Sequence, residues 1–442
     1  KPMEKLVGWP GELHREGRTL FRISDGISQK GVGPATKDST AVFYNPAMAG
    51  SRTRSVILMR TVIESGYLGK KDIYAIDGLS ASGLRARRWL NELPEKIAAR
   101  LDVTICDMDE KSLEWAMATH EEFPPNNISA LRKRVGDLRT AVLDHGRHWV
   151  DIDPFGSPMP FLDTAIQSLA RRAVIEVSAT DTAALTGSSK SALLRRYGAR
   201  VLTDGLCHDS GMRVMLANIA RIAASHDRCI EPILSIWDSH HLRVSVKVTK
   251  SIKGANRFEE NIGWRIAKPV ESEVMVSIEN GLHPKSNLDI LPMHCFVPLS
   301  QPVESGDKRI SGPMWIGPTG AGEVMEKITE QAALALSAPI FQKDDPLKWS
   351  EKEIELERRR ISRNVRYISS EATAIHSPHF ILTDDLASWL KIGSPPSPNI
   401  MVTLLEERGY CAARAHYAKP AFRTDAPWQI IVEVANSIQP ES

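Results

Sequence analysis

The 442-residue sequence has only five cysteines, Cys106, Cys207, Cys229, Cys295 and Cys411, and no two of them form a Cys-x-x-Cys pair. That scatter suggests neither a disulfide framework nor a four-thiolate zinc site, and leaves reduced, mostly buried thiols as the expectation. Long apolar runs are missing as well, none approaching the roughly 20 residues that cross a bilayer. Lys1 to Pro10 lacks the charged-then-apolar pattern of a secretory signal, so the expected location is the cytoplasm. Charge of one sign is not in excess. A formal net charge of +2 argues against indiscriminate coating of nucleic acid, although local basic clusters can still build a phosphate-binding face. His208, His240, His241 and His294 have no spacing that would make them a metal set, and no metal is expected.

What is present is an ordinary composition, 42% hydrophobic and 25% charged, on a chain longer than one core usually organises. Two domains are expected, residues 1–250 and 251–442, because long helices give way to a turn-rich region after Lys250. The N-terminal part begins with a hairpin-like run, Arg18 to Ile23, and an aperiodic Gly/Ser/Lys stretch, Ser28 to Thr40, read as a mobile loop. Strand-like and helix-like segments then alternate: Asp72 to Asp77, Leu101 to Cys106, Glu110 to Glu122, His148 to Ile152, Phe161 to Leu169 and Ala173 to Val177. This alternation predicts an α/β, doubly wound, mostly parallel sheet whose ligands lie beyond the carboxyl ends of its strands. Glu231 to Trp237 and Leu242 to Val248 read as an antiparallel hairpin. In the second domain, helices near Gly322 to Ser337, Glu351 to Ser369, Asp384 to Lys391 and Asn399 to Arg408 precede strands near Cys411 to His416 and Gln429 to Val434. The expected class there is α+β with a winged-helix-like unit.

Acids recur at the strand ends. Asp77-Gly-Leu-Ser-Ala-Ser-Gly83 follows the first strand, where small residues let a ligand approach the backbone and the next helix offers free N–H groups; a plain tight turn is the alternative. Asp107 closes the second strand, a position from which a carboxylate can grip a ribose diol. Asp137 follows the third and can accept from an adenine amine. Together they suggest an adenosine-containing cofactor, and S-adenosylmethionine fits better than NAD because no second nucleotide-binding half is apparent. Arg52 and Arg85 are candidates for its methionine carboxylate, surface charge being the alternative. The fourth strand ends in Asp151-Ile-Asp153-Pro-Phe-Gly-Ser-Pro158. An exocyclic aryl amine is a weak nucleophile because its lone pair is delocalised into the ring. Asp153 and a neighbouring carbonyl can accept from its N–H groups and favour pyramidal nitrogen, while Phe155 offers a face for an extruded base. The alternative is a helix-capping Asp with Phe155 in the core. Phe43, in Phe43-Tyr-Asn-Pro46, adds a second aromatic, or else anchors the N-terminal segment. Arg87-Arg88, Arg132-Lys-Arg134, Arg171-Arg172, Arg195-Arg196, Lys250 and Lys253 are candidates for phosphate contact, a solvated face being the alternative for each.

These residues carry a resemblance. Val42-Phe-Tyr-Asn-Pro46, Asp77-Gly-Leu-Ser-Ala-Ser-Gly-Leu-Arg85, Asp151-Ile-Asp-Pro-Phe-Gly-Ser-Pro158, Ala179-Thr-Asp-Thr182, Arg195-Arg-Tyr-Gly-Ala199, Leu206-Cys-His-Asp209 and Gly312-Pro-Met-Trp-Ile-Gly-Pro318 resemble the tRNA (guanine(26)-N2)-dimethyltransferase family, archaeal type. The resemblance implies a class I, Rossmann-like methyltransferase domain and a C-terminal domain that grips tRNA, with no membrane and no obligatory protein partner evident. It implies that Arg52, Arg85, Asp77, Asp107 and Asp137 bind S-adenosylmethionine and that Asp153, Phe155 and Phe43 hold the guanine. The sequence departs from the family at Ala47 and Thr53, where a basic and an acidic side chain are common. Rival readings are an amine methyltransferase acting on another base or nucleic acid, and a non-catalytic RNA-binding protein of the same fold.

Overall fold

The structure is a computed structural model that describes residues 6–24, 42–238 and 241–438. The Ser28 to Thr40 stretch and His240 lie outside those residues. The chain divides into two compact units, each assembled from separate segments.

The first unit comprises Lys1–Pro154, Phe161–Val177 and Lys327–Arg366. It opens with the antiparallel hairpin β1 (Glu12–Glu16) and β2 (Thr19–Ile23), followed by helix α1 (Ala49–Glu64). Then β3 (Ile73–Gly78), α2 (Leu84–Glu92), β4 (Leu101–Asp107), α3 (Glu110–Glu122), β5 (Ala130–Val135), β6 (Arg147–Ile152), α4 (Met159–Gln167) and β7 (Leu169–Ala179) alternate as expected. All five of these strands run parallel in the order β5-β4-β3-β6-β7. The chain therefore builds outward from β3 in one direction and then returns to build from β6 in the other. The reversal lies between β3 and β6, which is where sheets of this kind open a ligand crevice. Apolar strand residues such as Ile76, Val103 and Val150 are wholly buried, and Trp89, Trp115 and Trp149 fill the space around them.

Two arginines read as candidates for phosphate contact are not on the surface. Arg87 is 1% and Arg88 0% exposed. Arg88 donates to Glu16 and Glu92, and Arg87 to the carbonyls of Leu20 and Phe123. Arg88 thus meets two buried carboxylates and Arg87 two backbone carbonyls, and a buried charge requires such partners.

The second unit comprises Phe155–Pro160, Ser178–Glu326 and Tyr367–Ser442. It contains α5 (Lys190–Tyr197), the long α6 (Cys207–Ser225) and the hairpin β8 (Arg228–Asp238) with β9 (His241–Lys250), antiparallel as expected. A three-stranded antiparallel sheet follows from β10 (Ile262–Ala267), β11 (His294–Pro298) and β12 (Ile310–Trp315), with β10 in the centre. The tail runs as strand His379–Leu382, helices Thr383–Leu390 and Pro398–Glu407, strands Ala412–Arg414 and Ala421–Thr424, and helix Trp428–Ser437. Strand Ala421–Thr424 lies between the other two, so the strand–helix–helix–hairpin order is that of a winged helix.

One element departs from expectation. Gln429 to Val434, read as a strand for its Ile and Val content, lies inside a helix. Trp428, Ile431, Val432, Val434 and Ala435 are its buried positions, a helical spacing that places all five in one core cluster with Leu386, Met401 and Phe422. Tertiary burial of that face outweighs β-branched propensity.

Candidate functional site

The parallel register assembles the site in the first unit. Asp77 and Asp151 are paired Cα partners on β3 and β6, so two carboxylates stand side by side at the point where the sheet reverses direction. Two residues on, Asp153 leaves the end of β6. Arg85, in the first turn of α2, reaches all of this region: Nη2 donates to Asp153 Oδ2 at 2.8 Å, Nε lies 3.4 Å from Asp151 Oδ1, and Ser51 Oγ of α1 sits 3.2 Å from Nη2. Asp77 accepts from the backbone N–H of Ala86 at 3.1 Å. Three carboxylates thus surround one guanidinium. Burial, reinforced by the neighbouring Asp151 carboxylate, pushes Asp77 up to about 8 although Arg85 opposes the rise. With Asp77 largely protonated near neutral pH, Asp151 and Asp153 still outnumber Arg85, an excess of negative potential that favours a cationic ligand.

The loop between β3 and α2 is shaped by its backbone. Leu79 and Ala81 have φ of +59° and +46°, and Gly83 has +65°. Left-handed backbone at non-glycine residues costs about 1 kcal/mol or more each, and such strain concentrates where a loop must present its N–H groups to a ligand. Asp107, at the end of β4, holds this loop by accepting from Ala81 N at 2.9 Å, while its other oxygen accepts from Asp109 N. Gly78 is needed for a close approach. A Cβ there would lie 2.7 Å from the Asp151 carbonyl oxygen and 2.6 Å from Leu138. Ser80 Oγ is buried and has no hydrogen-bond partner among the described residues. Asp137 caps the short helix Leu138–Ala141 and pairs with Arg139 at 2.6 Å, whose hydrogen bond draws its carboxyl below the usual range.

The other sequence-derived residues fall differently. Arg52 is 8% exposed and binds Glu16 through two 2.6 Å bonds, with a third to the Asn45 carbonyl. Burial alone would raise Glu16, but Arg52 and Arg88 overcome it and hold the carboxyl at about 2. Tyr44 Oη completes this group 3.1 Å from Glu16. Phe43 is half-buried, and Phe155 is 64% exposed, a large apolar ring left facing water. His208 packs on Trp237 at 4.1 Å, and burial pushes His294 down to about 3. No group of three or more His, Cys, Asp or Glu suited to a metal occurs among the described residues.

Sequence reasoning missed Asp151, Ser51 and Glu16 as partners, and it gave no role to the residues that hold the loop after Pro154. In the second unit Gly156, at φ +82°, donates its N–H to Thr180 Oγ1 at 2.7 Å and accepts from Thr180 N. Tyr197 Oη donates to Asp181 at 2.7 Å and lies 2.8 Å from Ser157 Oγ. Burial and the adjacent Asp181 carboxylate push the Tyr197 phenol well above its usual range, so it stays a neutral donor. These bonds fix Gly156 and Ser157 and with them the preceding Phe155. Tyr197→Phe is expected to fold with about 1–2 kcal/mol less stability and to lower turnover roughly 10- to 100-fold, with cofactor affinity unchanged. Thermal melts, cofactor titration and turnover measured together check this.

Residues 24–436 match a family model described as N2,N2-dimethylguanosine tRNA methyltransferase. The chain is 26% identical to a Thermococcus kodakarensis tRNA (guanine(26)-N(2))-dimethyltransferase, over 95% of this chain and 100% of that one. It is 28% identical to the Pyrococcus abyssi protein of the same name, over 90% and 93% of the two chains. Among solved structures, that of Trm1 from Pyrococcus horikoshii with S-adenosyl-L-methionine superposes with a TM-score of 0.70 at 25% identity, covering 96% of this chain and 99% of that one.

Proposed function

Because the chain belongs to the N2,N2-dimethylguanosine tRNA methyltransferase family, we infer that it transfers methyl groups from S-adenosylmethionine to the exocyclic N2 of guanine 26 in tRNA. The observation that carries this reading is the anionic crevice at the sheet reversal, where Arg85 contacts Asp151 and Asp153 beside Asp77. It suits a cofactor whose sulfonium and ammonium are cations. Bound there, S-adenosylmethionine supplies an electrophilic methyl group.

The residues proposed to hold it are Asp107 for the ribose hydroxyls, Asp137 for the adenine amine, Asp77 for the ammonium end, and Arg52 and Arg85 on the carboxylate side. The strained loop Leu79–Gly83, the missing side chain at Gly78 and the unsatisfied Ser80 hydroxyl support that placement. Asp153 is proposed to accept an N2–H of the guanine, which lessens delocalisation of the nitrogen lone pair and aligns it for in-line attack. Its side chain is 19% exposed, so the proton released after transfer has a route to water. Guanine N2 carries two hydrogens, and each transfer removes one. Asp153 can accept from the hydrogen that remains after the first transfer and from none after the second, so dimethylation is the chemical end point. Phe155 and Phe43 are proposed as aromatic surfaces for the extruded base. The part proposed to grip tRNA is 251–442, and that proposed to carry the chemistry is 1–250. No described helix is long and apolar enough to span a membrane, and the cytoplasm, where tRNA is found, is the proposed location.

The test is methyl transfer from labelled cofactor to a tRNA transcript with guanine at position 26, beside one with adenine there. Label in the first alone is expected. Equal label in both would overturn the site, and label in neither the activity.

A further inference from the structure

The second unit holds a cavity of about 540 Å³ beside α5 that the reaction does not use. That volume is in the range of ligand pockets. Leu194, Leu202 and Ile310 give its lining an apolar side, and Leu194 is 51% exposed within an otherwise polar helix surface. Its rim carries Lys190, Arg200 and Lys308. None of these three cations has a side-chain hydrogen bond or ion pair among the described residues. The two carboxylates of the lining do not neutralise them, since Asp204 is taken by both terminal nitrogens of Arg265 at 2.9 and 3.1 Å, and Asp307 by Arg309 at 2.8 Å. The walls are preformed. Arg200 and Gly312 exchange two backbone hydrogen bonds of 2.9 and 2.7 Å, and Leu202 N donates to Ser311 Oγ at 3.0 Å. Arg195, exposed on the same helix and also without a carboxylate partner among the described residues, extends the basic surface beyond the pocket.

Unpaired cations around a preformed, partly apolar hollow match the two halves of a nucleotide, a phosphate for the rim and a base or ribose for the walls. We propose that this pocket binds a nucleotide of the tRNA substrate remote from the methylated guanine, its phosphates on Lys190, Arg200 and Lys308 and its base against Leu194, Leu202 and Ile310. The proposal rests on the reading of tRNA as substrate and extends it. Phosphate contacts position a nucleic acid and carry salt dependence, whereas a walled pocket admits only an unpaired nucleotide, so the pocket makes affinity depend on a loop or end of the tRNA.

Two full-length variants test it, Lys190→Ala/Arg200→Ala/Lys308→Ala and Leu194→Asp, against the charge-conserving Lys190→Arg/Arg200→Lys/Lys308→Arg. tRNA binding is read by fluorescence polarisation across salt concentrations, and methyl transfer by saturation kinetics. The expected result for the alanine variant is a KM raised at least 10-fold with kcat retained, and a log Kd against log salt slope smaller by about 2 for three lost phosphate contacts. Leu194→Asp should raise KM similarly, and the charge-conserving variant should stay near wild type. Unchanged KM and salt slope in the alanine variant would overturn the pocket while leaving the activity in place. Wild-type protein that binds tRNA but transfers no methyl group would overturn the functional reading, and the binding arm would still decide the pocket.

Discussion

Asp153→Ala is expected to lower kcat for methyl transfer by about 1,000-fold or more while changing S-adenosylmethionine affinity only a few-fold. Asp153 follows the end of β6, and its Oδ2 accepts from Arg85 at 2.8 Å. Removing it takes away the acceptor proposed for the guanine amine. The cofactor crevice otherwise keeps its shape, because Arg85 retains Asp151 and Ser51 as partners. Asp153→Asn preserves one acceptor oxygen but no charge and should fall between wild type and alanine. Cofactor titration and single-turnover transfer on the same preparations separate binding from chemistry. A loss of cofactor binding in a folded variant would make Asp153 a cofactor ligand instead.

Arg85→Met is expected to be the most destabilising single change in the crevice, costing about 3–5 kcal/mol at neutral pH. The guanidinium is 5% exposed and is the cation in contact with both Asp151 and Asp153. Without it, three carboxylates face one another. Asp77 already sits at about 8 with Arg85 present, from burial and from Asp151. Its folded-state value lies above its unfolded one, so the folded state binds more protons between those values and this group's contribution falls as pH rises. Loss of the arginine widens that window upward. The stability deficit of the variant should therefore be smaller near pH 5 than near pH 8, as denaturant titrations at the two pH values can measure. Arg85→Lys keeps the charge but not the planar fork and should recover only part of the loss. A deficit independent of pH would mean that packing, not charge, is what Arg85 supplies.

The parts of this molecule that were legible in the sequence are those set by local pattern. The alternation of apolar runs and helices gave the parallel sheet, and acids at run ends gave Asp77, Asp107 and Asp153 their places. What was not legible depends on register and on partners distant in the chain. Asp151 looks like an ordinary strand residue until β3 pairs with β6 and sets it beside Asp77. Glu16 lies 36 residues from Arg52, and only the folded hairpin brings the two together. Arg87 and Arg88 read as surface charge because a one-dimensional pattern does not reveal the buried carbonyls that receive the first or the buried carboxylates that receive the second. Thr180 and Tyr197 belonged to recognisable motifs, yet their work, holding Gly156 and Ser157, appears only in three dimensions. The helix at Trp428–Ser437 was misread because Ile and Val dominate it, although its buried positions follow a helical period.

The most direct test of the central claim is the identity of the labelled nucleoside after the tRNA product is digested and separated. N2-methylguanosine is expected early in the reaction and N2,N2-dimethylguanosine at its end, both formed about 1,000-fold or more slowly with Asp153→Ala. Label recovered in a guanosine methylated on a ring nitrogen, or in adenosine or cytidine, would contradict it.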